Sequence, residues 1–306
     1  MTAYRILWVL LCCALAGRAG ASGVSLTSGI VVDPEQRSAW VAAPEGRVAA
    51  VDLGDGSLRW NGPALGHPLA RLQPGLLVAL QPEERGVWPL AWVDPQTGAV
   101  GERFSAILPA EVLASLEALP NQRFEAFVVA VEGGVELHWF SQRWAFRGAR
   151  LEDDDGVSTH EGVVRVDAAA SRAITMATAP RRPRIDLDAS ERIAGLAEPQ
   201  LRSADDQHLL QRTPIADDTL GQRWEWQIHR RSNGAPMASL RLPEAAAPWL
   251  IDRDRLLWVS RPMIVKDASG TLIELPARLI AMGLSDSAEL WSVALRDPVF
   301  RGTLPP

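Results

Sequence analysis

The stretch RVAAVDLGDGSLRW, from Arg47 to Trp60, decides the fold. It reads as a strand that carries the small residue Ala50 near its end, then a sharp reversal, then a second strand that presents a large ring. Asp52 can accept hydrogen bonds from backbone N–H groups of the reversal, and Gly56 can adopt the positive φ that closes it. The flat ring of Trp60 can then fill the space between neighbouring sheets. The pattern predicts a tight hairpin that prepares one sheet to pack on the next.

The same pattern recurs four more times along the chain. Ala281 to Trp291 keeps the spacing between alanine and tryptophan, with Gly283 in place of the aspartate and Ser287 in place of the glycine. Three other copies are degraded and keep, in turn, Asp94, Thr97 and Gly98 with the aromatic residue moved to Phe104, then Asp167 alone, then Gly234 alone. A β-sandwich does not need a repeated contact of this kind, whereas a ring of radial sheets uses one between each pair of neighbouring sheets.

This repeat resembles the tryptophan-docking repeat of the PQQ-like, or quinoprotein-type, β-propellers, whose blades commonly end in Ala-x-Asp-x-x-Thr-Gly-x-x-x-Trp. The resemblance spans most of the chain and implies four-stranded antiparallel blades around a central channel. Because the turns lie farther apart than one blade of about 40–45 residues, we expect about 5–7 blades with insertions. The residues predicted to form the structural repeat are Ala50, Asp52, Gly56, Trp60, Asp94, Gly98, Asp167, Gly234, Ala281 and Trp291.

The rest of the chain also reads as short strands between turns. Ten apolar segments bounded by turn residues predict strands: AWVAAP, RVAAVDL, LLVAL, PLAWVD, FEAFVVAV, VELHWF, GVVRVD, RWEWQIH, RLLWVS and ARLIAM. Two stretches have helical periodicity, PAEVLASLEALP (109–120) and DASERIAGLAEP (188–199). The second has Asp188 and Glu191 in capping-box spacing. We therefore predict an all-β propeller with two short helical insertions.

The first residues have the order of a secretory signal peptide. Arg5 precedes the apolar run ILWVLLCCALA, and the small residues Ala19 to Ala21 follow. The run is shorter than the about 20 apolar residues that an ordinary membrane span needs. We expect residues 1–21 to be removed and residues 22–306 to form one propeller domain, without a transmembrane segment, in the periplasm or outside the cell.

The composition argues against two classes of function. The net charge of −6 becomes −8 when Arg5 and Arg18 leave with the signal, and this excess of acid disfavours nucleic-acid binding. True quinoprotein dehydrogenases of this type carry an adjacent Cys-Cys pair beside the quinone, whereas both cysteines here, Cys12 and Cys13, lie in the signal. Asp153 to Gly156 lacks the ligand spacing of a calcium loop and reads as a solvated turn. We expect no cofactor and no metal.

Three groups of residues are candidates for a site. Glu136 and His138 share one face of a strand and could form an acid–base pair in the channel, or a hydrogen-bonded structural pair. Trp224 and Trp226 share a strand face and could contact a protein or sugar, or pack in the core. A Pro- and Arg-rich loop could bind an anion or an acidic partner, or remain solvated, through Arg181, Arg182 and Arg184.

Taken together, these features favour an exported, non-catalytic propeller that binds another protein of the cell envelope, as propellers similar to the outer-membrane assembly factor do. The alternative is an enzyme or small-ligand binder that uses the central channel, with Glu136 and His138 as the first residues to test. The sequence leaves the partner and the oligomeric state open.

Overall fold

The structure, a computed structural model, describes residues 24–27, 29–80, 87–107, 122–131, 133–144, 146–147, 150–151, 157–176, 190–191, 200–202, 207–215, 223–242, 249–260, 262–266 and 269–296. Every regular element in these ranges is a β-strand, which confirms the predicted all-β class. The described ranges hold no helix that is long and apolar enough to cross a membrane. The predicted signal peptide, the predicted helix at 109–120 and the acidic turn from Asp153 to Gly156 lie outside them.

The second predicted helix is wrong where the structure describes it. Ser190 and Glu191 form a short strand and pair with Leu201 and Gln200 of the following strand. Pairing with a neighbouring strand overrides the local capping pattern, because propensity is a weak determinant beside tertiary contacts.

The strands, numbered in chain order, are β1 (Val24–Thr27), β2 (Ile30–Asp33), β3 (Ser38–Ala42), β4 (Arg47–Asp52), β5 (Leu58–Arg71), β6 (Leu76–Leu80), β7 (Val87–Val93), β8 (Val100–Ile107), β9 (Gln122–Val131), β10 (Gly134–Trp144), β11 (Phe146–Arg147), β12 (Arg150–Leu151), β13 (Val157–Asp167), β14 (Arg172–Met176), β15 (Ser190–Glu191), β16 (Gln200–Arg202), β17 (His208–Ile215), β18 (Arg223–Arg230), β19 (Pro236–Leu242), β20 (Trp249–Asp252), β21 (Arg255–Ser260), β22 (Met263–Lys266), β23 (Leu272–Leu275), β24 (Arg278–Gly283) and β25 (Glu289–Ala294). All ten predicted strands are present among them.

Antiparallel pairing divides most of these strands into repeated four-stranded units, which we call blades, while β1 and β15 are short additional strands beside blades 1 and 4. The first half of β5 pairs with β4 and its second half pairs with β6, so this long strand closes one blade and opens the next. The blades of the described chain are β2 to β5 (blade 1), β5 to β8 (blade 2), β9, β10, β13 and β14 (blade 3), β16 to β19 (blade 4) and β20, β21, β24 and β25 (blade 5). The hairpins β11–β12 and β22–β23 are insertions between the second and third strands of blades 3 and 5.

Burial changes steadily across a blade. In blades 1 and 5 the first strand, β2 or β20, is buried at all of its residues. The last strands β8, β19 and β25 are instead mostly exposed or half-buried. The first strands therefore lie inside the molecule and the last strands form its outer rim, which is the radial arrangement of propeller blades.

The faces of neighbouring blades pack on one another through buried apolar side chains. Separate clusters join blade 1 to blade 2, blade 2 to blade 3, and blade 4 to blade 5. A further cluster joins blade 5 to blade 1, with Leu250, Leu257 and Leu279 of blade 5 beside Val32 and Val41 of blade 1. The blade nearest the C-terminus thus contacts the blade nearest the N-terminus, and among the described residues the blades follow one another in the order 3, 2, 1, 5, 4.

Candidate functional site

Each blade has the same five-residue reversal between its third and fourth strands, which we call the docking turn. The docking turns are residues 52–56, 94–98, 167–171, 230–234 and 283–287. The fifth residue of every turn has a positive φ: Gly56 (74°), Gly98 (74°), Ser171 (47°), Gly234 (69°) and Ser287 (58°). In four turns its N–H donates to the carbonyl of the first residue, at 2.8–3.0 Å. The reversal predicted from the sequence is therefore one conserved geometry within the molecule, although glycine occupies only three of the five positions.

The aspartates that begin three docking turns accept backbone hydrogen bonds from those turns. Asp94 Oδ1 accepts from the N–H groups of Gln96 (2.8 Å) and Thr97 (2.9 Å), and these bonds hold the pKa of Asp94 below its ordinary value. Asp52 is held in addition by the guanidinium of Arg59, whose Nη2 lies 2.6 Å from Asp52 Oδ2, and its pKa is lowered mainly for that reason. Each aspartate satisfies donors that the reversal would otherwise leave open.

Tryptophans join successive blades by docking on these turns. Trp40 of blade 1 donates its indole N–H to the carbonyl of Pro95 in the docking turn of blade 2, at 3.2 Å. Trp60 of blade 1 donates its indole N–H to the carbonyl of Pro95 in the docking turn of blade 2, at 3.1 Å. Its ring lies over Gly98, where an added Cβ would come within 2.6 Å of the ring. Trp291 of blade 5 does the same on blade 1: it donates to the carbonyl of Leu53 at 3.2 Å and covers Gly56. Glycine is required at both positions because the indole occupies the place of a side chain.

The docking contact between blades 2 and 3 uses a residue that sequence reasoning missed. Phe104 was predicted to supply the displaced aromatic ring, but Trp92, on the preceding strand, donates its N–H to Ser171 Oγ at 3.1 Å. Phe104 packs against Trp92 instead, with ring centroids 6.1 Å apart. The fifth residue of the blade 3 turn is a serine, and its hydroxyl oxygen is the acceptor for this indole. The available signal was the tryptophan two residues before Asp94, where blade 1 has an alanine.

Blades 4 and 5 show a second replacement of this kind. Ala238 stands in blade 4 where Trp60 stands in blade 1, and the docking turn of the neighbouring blade 5 carries Ser287 in place of glycine. Ser287 Oγ donates to the carbonyl of Ser239 at 3.2 Å. A hydroxyl therefore bridges blades 4 and 5 where the indole is missing. Ser287 has a positive φ of 58°, which is strained for a residue with a side chain.

Glu136 and His138 are brought together in blade 3. His138 Nε2 lies 3.1 Å from Glu136 Oε2, and the two side chains are 2% and 9% exposed, respectively. They project from the face of β10 opposite to Val135 and Leu137, which pack toward blade 2. The geometry allows proton exchange between the two groups. Their burial within the sheet equally suits a structural hydrogen bond.

Trp224 and Trp226 lie on the face of blade 4 that packs against blade 5. Trp226 is fully buried, and its ring centroid is 6.3 Å from that of Trp258. Trp224 is half-buried and packs against the same cluster. Trp226 is therefore a core residue in this structure, and only Trp224 retains surface for a contact. Arg181, Arg182 and Arg184 lie outside the described residues.

His67, on β5, is a buried group with a displaced titration. Burial, assisted by the positive charge of Arg296, lowers the pKa of His67 from 6.5 to about 4. Its ring nitrogen Nδ1 would lie 3.2 Å from a Cβ added at Gly29 of blade 1, so the histidine packs tightly against its neighbour. In the folded protein His67 stays neutral at pH values where it would be protonated in the unfolded chain.

This displacement predicts an acid dependence of stability. Between pH 6.5 and about 4 the unfolded chain binds a proton that folded His67 does not, so the free energy of unfolding falls as the pH falls. From pH 7.5 to pH 5 the loss from this residue should be about 2 kcal/mol. Urea unfolding of the wild type and of His67→Gln at both pH values measures it as the difference in acid sensitivity. If both proteins lose equal stability, His67 titrates normally.

A shallow groove of about 330 Å³ opens beside the docking turn of blade 2. Its lining includes Pro74, Gly75 and Trp92, with the carboxylate residues Asp94 and Glu102. An indole beside two acidic side chains is chemistry that suits a cationic group. The part of the chain that the structure describes holds no cluster of three or more potential metal-binding side chains.

No protein-family model matches this chain, and no curated protein does either. Solved structures do match. One is the crystal structure of BamB from Moraxella catarrhalis, with 11% identity over 81% of this chain and 77% of that chain, at a TM-score of 0.19. Another is the quinohemoprotein alcohol dehydrogenase ADHIIG from Pseudomonas putida HK5, with 10% identity over 84% of this chain and 57% of that chain, at a TM-score of 0.22.

Proposed function

We propose that this chain is an exported, non-catalytic β-propeller that acts as a protein-binding scaffold in the cell envelope. In this proposal residues 1–21 are a signal peptide, residues 22–306 form one closed ring, and the ring has five blades of the PQQ-like type. Closure between blades 3 and 4 completes the order of blades that the described clusters establish. The sequence of the first residues supports export, and the docking turns support the ring.

The distribution of exposed apolar side chains carries the scaffold proposal. In the described chain, the large apolar side chains that stay exposed lie either on the last strand of a blade or on the β22–β23 hairpin: Leu58, Ile107, Ile174, Leu272, Ile273, Leu275 and Leu290. The faces between the described neighbouring blades are filled by buried apolar clusters. Three of these side chains, Leu272, Ile273 and Leu275, lie together on one short strand, and a group of exposed apolar side chains favours contact with another protein.

Site-specific photo-crosslinking in intact cells tests this proposal. A photoreactive residue in place of Ile107 or Ile174 should give one dominant protein adduct, because both side chains are exposed on the rim at 68% and 45%. The same residue in place of Gln96, on an exposed docking turn, is the control and should give little. Trp224→Ala should reduce the rim adduct if the half-buried indole contributes to the contact. Equal, weak labelling at all positions would argue against a dedicated partner.

The alternative function is an enzyme or ligand binder that uses the Glu136–His138 pair. The 3.1 Å contact between these two buried side chains is the observation that favours it. A small molecule that raises the melting temperature of the purified protein would support this alternative, because ligands that bind the folded state stabilise it. The double variant Glu136→Ala/His138→Ala should then abolish that effect. A stabilisation that survives in the double variant would remove the pair from consideration.

A further inference from the structure

The hairpin formed by β22 and β23 stands apart from the sheet that carries it. It interrupts blade 5 between β21 and β24, and its two strands form a separate sheet, pairing in regular register from Met263 opposite Leu275 to Lys266 opposite Leu272. An isolated two-stranded hairpin is at best marginally stable in water. In the described sheets the hairpin pairs with no strand of blade 5.

Strand β23 is exposed along its whole length. Leu272, Ile273 and Leu275 are 65%, 39% and 37% exposed, and Glu274 between them is exposed too. Because side chains alternate along a strand, Ile273 and Leu275 lie on one face while Leu272 and Glu274 lie on the other. Apolar side chains are thus presented on both faces of an edge strand.

The edge of β23 lacks three of the features that protect such strands: a lysine, a proline and a bulge can each prevent pairing with another chain. The strand is four residues long, and its one charged side chain is Glu274. The register of β23 with β22 is uninterrupted, and its four residues include neither lysine nor proline. Its outer N–H and C=O groups belong to no other strand in the described sheets.

We propose that the outer edge of β23 binds an extended segment of the partner protein by strand addition. The segment adds a third strand to the hairpin, with apolar side chains on both of its faces and a basic side chain placed opposite Glu274. Opposite charges on adjacent strands attract, so Glu274 selects the register as well as the partner. This inference rests on the proposed scaffold function and identifies the surface through which it acts.

A lipid surface fits the hairpin less well than a strand does. The tip that would enter a membrane first is polar: Ser269, Gly270 and Thr271 are exposed, and Ser269 Oγ lies 2.9 Å from Thr271 Oγ1. Glu274 would also have to follow the apolar residues into lipid. The apolar side chains instead flank the backbone edge, where a paired strand would cover them.

Two synthetic peptides serve as probes for the purified full chain. Both alternate valine and threonine, and they differ only in a central arginine or glutamate. The arginine peptide should bind about fivefold more tightly than the glutamate peptide, since one pair attracts and the other repels. Glu274→Lys should reverse this preference, and amide hydrogen exchange should slow in β23 when the arginine peptide is bound. A preference that Glu274→Lys leaves unchanged would overturn the inference.

A matched pair of variants separates this inference from the proposed function in cells. Leu272→Lys and Leu58→Lys change leucines of similar exposure, 65% and 61%, and only the first lies on the hairpin. With the rim crosslinker in place, Leu272→Lys should reduce the partner adduct at least severalfold at an unchanged melting temperature, while Leu58→Lys should not. An adduct that persists in Leu272→Lys would show that the hairpin is not the binding surface, while the proposed scaffold function would remain supported.

Two further outcomes have separate meanings. If the wild type yields no adduct at any rim position, the scaffold function itself fails, whatever the peptides do. The protein could instead bind phosphatidylcholine–phosphatidylglycerol vesicles and neither peptide, and lose vesicle binding in Leu272→Lys. That result would indicate membrane attachment in place of strand addition and would overturn the proposal.

Discussion

Gly98→Ala should destabilise the protein by about 3 kcal/mol, because the new methyl group meets two separate costs. The residue has a φ of +74°, which an L side chain adopts only with strain. The Cβ would also come within 2.6 Å of the Trp60 ring that docks on this turn. Urea unfolding measures the sum of the two effects, and the shift should appear in the midpoint with little change in slope.

Gly133→Ala separates the two costs. Gly133 has a similar φ of +77°, but a Cβ there would meet nothing within 4 Å. This variant should lose only the conformational part, about 1 kcal/mol. In a Trp60→Ala background, Gly98→Ala should cost only the conformational part, about 1 kcal/mol, because the ring that causes the clash is gone. Equal losses in Gly98→Ala and Gly133→Ala would mean that Trp60 does not dock on the turn of blade 2.

Trp291→Ala should cost about 4 kcal/mol, in the range for loss of a buried tryptophan. Trp291 is 8% exposed and joins the blade nearest the C-terminus to the blade nearest the N-terminus. Its loss removes both the ring packed on Gly56 and the hydrogen bond to the carbonyl of Leu53. We therefore expect a lower urea midpoint and faster limited proteolysis.

Its neighbour Leu290 provides the control. Leu290 is 50% exposed, and Leu290→Ala should change stability by no more than about 0.5 kcal/mol. Trp291→Phe keeps an aromatic ring and loses the indole N–H, so it should cost about 1 kcal/mol for the hydrogen bond in addition to the smaller packing loss. A Trp291→Ala variant as stable as Leu290→Ala would show that blades 5 and 1 are not joined through this contact.

The docking turns were the most predictable part of the molecule because their interactions are local. Asp94 accepts from residues two and three positions ahead, and Gly98 closes the same turn. Such contacts involve residues only a few positions apart, so the turn can be recognised in the sequence of any blade that keeps those residues. Ser171 and Ser287 were harder to recognise, since serine seldom adopts the positive φ that this position of the turn requires.

The candidate site was less predictable, because it depends on what each strand face meets. Trp224 and Trp226 look equivalent in sequence, yet only Trp226 is fully buried in the cluster shared with blade 5. The exposure of Leu272 and Ile273 was not anticipated either, because a short apolar run carries no sign of whether another strand will cover it.

The sequence by itself determined the strands, the reversals between them and the repeat that makes successive sheets equivalent, since hydrophobic alternation and turn chemistry act over a few residues. Tertiary structure alone decided which blades touch, which tryptophan supplies each docking contact, and which apolar strand remains at the surface. Those outcomes depend on partners far away in the chain: Trp291 meets Leu53 only because the last described blade packs on the first.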